Sequence, residues 1–259
     1  MALDDSNPAG ALAPEVAAEQ TARPREVRRL WRAEVIYGVA LAGFAVLALF
    51  AHLYTYFAWD LAAKDRLQTL DAPALLAFMQ AVSIFGNGWR PFALSALTII
   101  LLLLRARRSE AAGLTLSVAG GSLLNYLIKL VIARPRPDDS LVEVFVDLKT
   151  ESFPSGHVTF YVCYFGFLFF MAFALLPHRS TARRLALVLT TVPIALVGLS
   201  RIYLGAHWPS DTLGAYLMSG LWLAFSLSMY RRWKGHATFH PEEPPVADPS
   251  GEPPAAEEQ

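Results

Sequence analysis

The chain has 259 residues, of which 54% are hydrophobic and 17% charged, with 22 basic against 22 acidic side chains and a mean hydropathy of +0.38. Soluble domains carry about 25% charged residues, so the composition excludes an ordinary soluble globule, and a net charge of zero removes the overall basic field that nucleic-acid binding uses. The one cysteine, Cys163, lies in an apolar run; it allows no internal disulfide and reads as a small buried hydrophobe.

In chain order, residues 1–22 are polar, Ala/Pro-rich and acidic. They lack the basic start and apolar middle of a cleavable signal, so residues 1–30 are expected to form a disordered tail ahead of an uncleaved anchor. A bilayer core of about 30 Å needs about 20 apolar residues in a helix. Val35 to Phe57 supplies the first such span. Asp71 to Gly88 reads as an amphipathic helix at the membrane interface, with Pro73 in its first turn, Leu75, Phe78, Met79, Val82 and Phe85 on one face, and Gly86 and Gly88 as its stop. A short segment dipping into the membrane is the alternative. Trp89 to Leu104 is a short second span, with Arg90 snorkelling and Trp89 at the interface. Ala111 to Ala133 is the third and carries Asn125 and Lys129 near its end. Val158 to Leu176, Leu185 to Tyr203 and Leu213 to Tyr230 are the last three. Residues 236–259, rich in Pro and Glu, are expected to be a second disordered tail. The fold class expected is an all-α, polytopic membrane bundle of six transmembrane helices plus one interfacial helix, with the domain over residues 31–235.

Most of the 22 Lys and Arg residues cluster before the first span (Arg23, Arg25, Arg28, Arg29, Arg32) and after the second, fourth and sixth (Arg105, Arg107, Arg108; Arg179, Arg183, Arg184; Arg231, Arg232, Lys234). The positive-inside rule puts that side, and both tails, in the cytoplasm. The other set of loops then faces outward and holds three polar pieces. Lys129 and Arg134-Pro135-Arg136-Pro137 end the third span. Phe153-Pro154-Ser155-Gly156-His157 begins the fourth. Ser200-Arg201 and His207-Trp208-Pro209-Ser210-Asp211 cross the fifth-to-sixth junction.

Lys129 and Arg201 stand where apolar helices end, and a charge there is costly without water or a partner. Together with Arg136, displayed by two helix-breaking prolines, they can clamp an anion, the guanidinium groups bidentately. Ser155 reads as a helix N-cap and Gly156 as an open backbone whose free N–H groups suit a phosphoryl group. His207 and Asp211, four apart, can share a helix face, the carboxylate fixing the imidazole tautomer so that the other nitrogen is basic and nucleophilic. Plainer readings exist for each piece. Lys129 alone suits an interface-snorkelling residue, PSGH an ordinary cap followed by a polar His, and His207 with Asp211 a structural pair or two metal ligands. Three cations in one pocket would repel a divalent ion, so no metal or other cofactor is expected. Arg134 reads as a snorkelling residue without a further role, and His52, Asp60 and the acids of 138–151 as solvated polar residues.

Lys129 with Arg136-Pro137, Pro154-Ser155-Gly156-His157, and Ser200-Arg201 with His207 and Asp211 resemble the three-part signature of the type 2 phosphatidic acid phosphatase superfamily, lipid phosphatases that share their site with vanadium haloperoxidases. The resemblance implies that His207 attacks phosphorus and becomes a phosphohistidine, that Asp211 orients it, and that His157 protonates the leaving oxygen. It implies that Lys129, Arg136, Arg201, Ser155 and the Gly156 N–H bind the phosphoryl oxygens. The expected partners are a phospholipid or isoprenyl phosphate in a bacterial inner membrane, with the site at the outer face and no nucleic acid. Undecaprenyl diphosphate stands slightly ahead of phosphatidate and phosphatidylglycerophosphate. The loop 138–152 is either the specificity element or a plain connector. A phosphotransferase, a vanadate-dependent haloperoxidase and a non-catalytic lipid-binding protein are the rival functions. Nothing in the sequence speaks to oligomeric state.

Overall fold

The computed structural model describes residues 14–70, 72–138, 140–146 and 148–238. All regular elements among them are helical: α1 (Pro14–Leu53), α2 (Ala58–Gln68), α3 (Pro73–Val82), a 3₁₀ turn (Ile84–Gly86), α4 (Arg90–Leu104), α5 (Arg108–Thr115), a π segment (Leu116–Gly120), α6 (Gly121–Ile132), α7 (Gly156–Leu175), α8 (Thr181–Tyr203) and α9 (Pro209–Thr238). Five stretches are long and apolar enough to cross a membrane: Glu34–Leu53, Arg108–Ile132, Gly156–Leu175, Thr181–Tyr203 and Pro209–Gly235. The chain is an integral membrane protein. The expected second span is α4, whose 15 residues fall short of that length.

The bundle is organised around α7, which packs against α8 and α9. Val158, Tyr161, Phe167 and Val197 are fully buried in its core. By contrast α1 exposes Val35, Ile36, Val39 and Leu49, and α4 exposes Phe92, Leu97 and Leu104. Such apolar outer faces are at home in lipid, where helix association rests on close packing and polar contacts instead of the hydrophobic effect. Arg108–Ile132 is one membrane-length run broken by the π segment, whose Leu116 carbonyl accepts a bond from Trp222 Nε1 at 3.1 Å.

Three features differ from the sequence reading. α1 begins at Pro14, inside the stretch 1–30 assigned to a tail; residues 1–13 and 239–259 of the expected tails lie outside the described residues. α2 was unforeseen, because AWDLAAKDRLQ shows no apolar stripe; its buried face consists of Asp60 and Lys64. The expected interfacial helix is two pieces, α3 and the 3₁₀ turn, with Pro73 at the N-terminus of α3 as read. Met79 is buried near Tyr203 and Leu204, and Gly88 has φ +57°.

Candidate active site

His207 sits in the turn between α8 and α9. A Trp208–Pro209 start fixes α9: proline fits its first position, and the Asp211 carboxylate accepts the Trp208 N–H at 2.8 Å, so a third-position acid caps the helix. The same Oδ2 receives Ser152 Oγ and lies 3.5 Å from His207 Nδ1. On the far side of the ring, Arg136 Nη1 is 3.2 Å from His207 Nε2. Arginine can only donate. The partners therefore assign the proton to Nδ1 and the lone pair to Nε2. Burial, and then the charges of Arg136, Lys129 and Arg201, push the His207 pKa well below the usual imidazole range.

The three cations converge by different routes. α6 ends on Ala133 in the left-handed region (φ 49°), which turns the chain out of the helix after Lys129. Lys129 Nζ donates to the carbonyls of Glu151 and Ser152. Arg136 donates to Thr150 O at 2.6 Å, Ala206 O at 2.6 Å and Glu151 O at 3.2 Å. The C-terminal end of the 138–152 loop thus holds two cations through backbone oxygens. Further along, Phe145 N donates to Leu204 O at 3.1 Å, and Gly205, at φ +73°, runs so close that a Cβ would stand 2.2 Å from Glu143 O.

Arg201, on the last turn of α8, is buried and donates from Nη1 to Ser83 Oγ at 3.3 Å. Its Nε and Nη2 have no hydrogen-bond partner among the described residues. Neither has Ser155 Oγ. Ser155 occupies the N-cap position of α7 as read, but its side chain caps nothing, and Gly156 opens the helix behind it. Buried donors left unmatched cost about 1–3 kcal/mol each, so this corner is built for an acceptor.

His157 follows on the first turn of α7. Its Nε2 is 2.7 Å from Asn87 Oδ1, and it lies within the fields of Arg201, His207 and Arg136. The 3₁₀ turn presses so close that a Cβ on Gly86 would fall 2.3 Å from His157 Cδ2. Asn125 braces the approach to α7 through Pro154 O at 3.2 Å and Thr159 Oγ1 at 3.0 Å. The residues predicted from the three sequence pieces thus lie around one polar cup.

Arg134 and Asp60 depart from their sequence reading. Neither is solvated or snorkelling; both side chains are fully buried. Arg134 donates from Nη1 to Asp211 Oδ1 at 2.6 Å and Ser210 Oγ at 2.6 Å, from Nη2 to Asp60 Oδ2 at 3.0 Å, and from Nε to Thr55 O at 3.0 Å. Asp60 also receives Ser210 N at 2.8 Å, Ser210 Oγ at 2.7 Å and Phe57 N at 3.1 Å. His52 bonds Ile132 O at 3.2 Å. Sequence reasoning also missed Ser83, Asn87 and Ser152, neutral residues in connecting segments with no pattern to mark them.

The description PAP2 superfamily matches residues 110–234. Phosphatidylglycerophosphatase B of Bacillus subtilis is 30% identical over 184 residues, 70% of this chain and 88% of that protein. The chain belongs to the PAP2 superfamily. A second relative, decaprenylphosphoryl-5-phosphoribose phosphatase of Mycobacterium tuberculosis, is 39% identical over 146 residues, 55% of this chain and 73% of its own. The crystal structure of a transmembrane PAP2 type phosphatidylglycerolphosphate phosphatase from Bacillus subtilis superposes with a TM-score of 0.66 at 24% identity, covering 76% of this chain and 96% of that one, and so shares the fold. This PAP2 chain is accordingly an enzyme, a lipid phosphatase. The matched region holds every residue of the three sequence pieces, whereas Asp60 and Asn87 lie before it.

Proposed function

We propose that this membrane lipid phosphatase cleaves a phosphomonoester or diphosphate of a lipid in two steps through a phosphohistidine on His207, without a metal ion. Nε2 of His207 forms the bond to phosphorus as the bond to the leaving oxygen breaks, and that oxygen takes a proton from His157. Asp211 holds Nδ1–H and faces the imidazolium charge that develops. Lys129, Arg136, Arg201, Ser155 Oγ and the Gly156 N–H hold the phosphoryl oxygens as charge moves onto them. Water, giving a proton back to His157, then forms a bond to phosphorus as the bond to Nε2 breaks, releasing phosphate and restoring neutral His207. The observation that carries this reading is the polarised His207, with the Asp211 carboxylate 3.5 Å from one ring nitrogen and a guanidinium 3.2 Å from the other, next to buried donors on Arg201 and Ser155 that have no partner among the described residues.

A lipid substrate suits the surroundings. An apolar groove of about 590 Å³, lined by Phe92, Ala96, Ile99, Val118 and Phe160, runs between helices to Gly86 and Gly156 at the cup. A hydrocarbon tail in that groove would put its headgroup against the cations. An isoprenyl diphosphate ranks ahead of phosphatidate and phosphatidylglycerophosphate; the name of the mycobacterial relative, a decaprenylphosphoryl-5-phosphoribose phosphatase, supports the prenyl carrier but not the diphosphate. Six spans, with α4 as the second, would set both tails in the cytoplasm and the cup at the outer face of a bacterial inner membrane. The domain then covers residues 31–235.

Phosphate release from a panel of these lipids in chelator, comparing the parent with His207→Ala, tests the proposal. The parent is expected to work in chelator and the variant to be inactive. Dependence on a divalent ion, or activity surviving in His207→Ala, would overturn it. Transfer of phosphate to an added lipid or sugar acceptor would reassign the enzyme as a phosphotransferase.

A further inference from the structure

Behind the nucleophile lies a polar cluster that neither the three sequence pieces nor the matched family region accounts for in full. Asp60, Arg134 and Asp211 form a line of alternating charge, buried from end to end. Asp60 is the third residue of α2, where its Oδ2 accepts the Phe57 N–H; its Oδ1 accepts the Ser210 N–H at the second position of α9. One carboxylate therefore caps two helix N-termini side by side. Arg134 lies between the acids, with the Phe57 ring 4.9 Å from its guanidinium carbon.

The charge sum sets the consequence. Asp60 and Asp211 contribute two negative charges and Arg134 one positive, leaving the cluster one negative charge in surplus. With Arg134 on its Oδ1 at 2.6 Å, Asp211 alone would be neutralised by its partner. Asp60 restores the missing negative charge from the other side of the guanidinium. A phosphorylated His207 ring carries one positive charge, with the Nδ1 proton retained. That surplus faces a cation on the ring itself only during attack and in the intermediate. Such differential stabilisation raises the rate more than it tightens ground-state binding.

The geometry points to Asp60 and Arg134 as positioning residues of the reaction: Arg134 fixes the Asp211 carboxylate beside His207, and Asp60 offsets the Arg134 charge so that Asp211 can stabilise the imidazolium form of His207. This rests on the phosphohistidine reading above. Other charges also face His207: Arg136, Lys129 and Arg201 directly, and His157 across the cup. Lys64 of α2 stands 5.6 Å from the Trp208 ring. None of these changes in the test.

The experiment measures kcat/KM against pH for the full chain in detergent, on the best substrate of the lipid panel, for Asp60→Asn and Arg134→Gln. Asp60→Asn removes a negative charge and disfavours imidazolium, so the acidic limb, where His207 must be neutral to attack, moves to lower pH. Arg134→Gln removes a positive charge and moves the same limb to higher pH. In Asp60→Asn, kcat is expected to fall about 10–100-fold, by analogy with the loss of an outer partner of a metal-ligating imidazole, with KM nearly unchanged; Asp60→Glu is expected to return the limb toward the parent position. A merely structural role lowers activity without moving the limb. Should one variant fail to fold, the sign seen in the other decides. Limbs that stay put, or move the same way, overturn the inference. An active His207→Ala would instead overturn the phosphohistidine reading, so the two failures are distinct.

Discussion

Arg201 is expected to weaken the resting protein while serving its activity, and Arg201→Met separates the two. Methionine keeps the length and apolar stem but removes the guanidinium. Among the described residues, Nε and Nη2 of Arg201 are buried without a partner, and the one bond it makes, to Ser83, is long at 3.3 Å. Two unmatched donors at about 1–3 kcal/mol each, set against one weak bond of about 1 kcal/mol, leave a gain of about 1–5 kcal/mol for the variant, of which about 2 kcal/mol is taken as the working figure. For a chain of this size that is a rise of about 4–8 °C in melting midpoint. The same two donors, given to phosphoryl oxygens as charge-assisted bonds of about 1.5–3 kcal/mol each, are worth about 3–6 kcal/mol to the transition state, or about 10²–10⁴-fold in kcat/KM. The assay pairs thermal unfolding in detergent with phosphate release. Orthovanadate adds a control: at 100 times its Kd a ligand stabilises by about 2.7 kcal/mol, an increment the parent should show and the variant should lose. A variant that melts several degrees lower, or that hydrolyses lipid at the parent rate, would refute the reasoning.

Two more outcomes follow from the site. Because burial and three cations hold the His207 pKa down, protonation of the free enzyme's nucleophile needs unusual acidity. The acidic limb of kcat/KM should lie well below about pH 6.5, and that of kcat higher, since bound phosphate offsets the cations; a free-enzyme limb at or above 6.5 would contradict this. Gly86→Ala would drive a Cβ to 2.3 Å from His157 Cδ2, displacing the ring from Asn87, so kcat should fall about 100-fold, within the range for losing a general acid, with a smaller change in KM; steady-state kinetics on the folded variant reads this.

The three sequence pieces were legible because each pairs costly residues with a membrane helix end. Lys129, Arg136, Arg201, His157, His207 and Asp211 stand out against apolar runs, and their co-location follows from which ends share a face of the bilayer. Ser155 was legible by position, yet its hydroxyl is unmatched instead of capping α7. Asp60 and Arg134 were misread for one reason. Alone in sequence each resembles a solvated interface charge, and only the fold brings α2 against the start of α9 and drops Arg134 between two carboxylates. A membrane makes that misreading informative: an acid and a base that seem to need water in separate segments can instead satisfy each other. Ser83, Asn87 and Ser152 carry no such cost and leave no trace in the pattern.

The wide turn at Leu116–Gly120 sets the aim of everything beyond it. A π turn takes up one residue more than an α turn, and each residue of α-helix subtends about 100°. Beyond it, Gly121, Asn125 and Lys129 line the inner side of α6 while Leu123, Tyr126, Leu127 and Leu130 face outward. Straightened into unbroken α-helix, the same residues would swing by about a quarter turn, carrying the ammonium away from the site toward the lipid-facing side. The bulge works as a phase adjuster, and Trp222, bonded to the Leu116 carbonyl within it, is the catch that keeps it set.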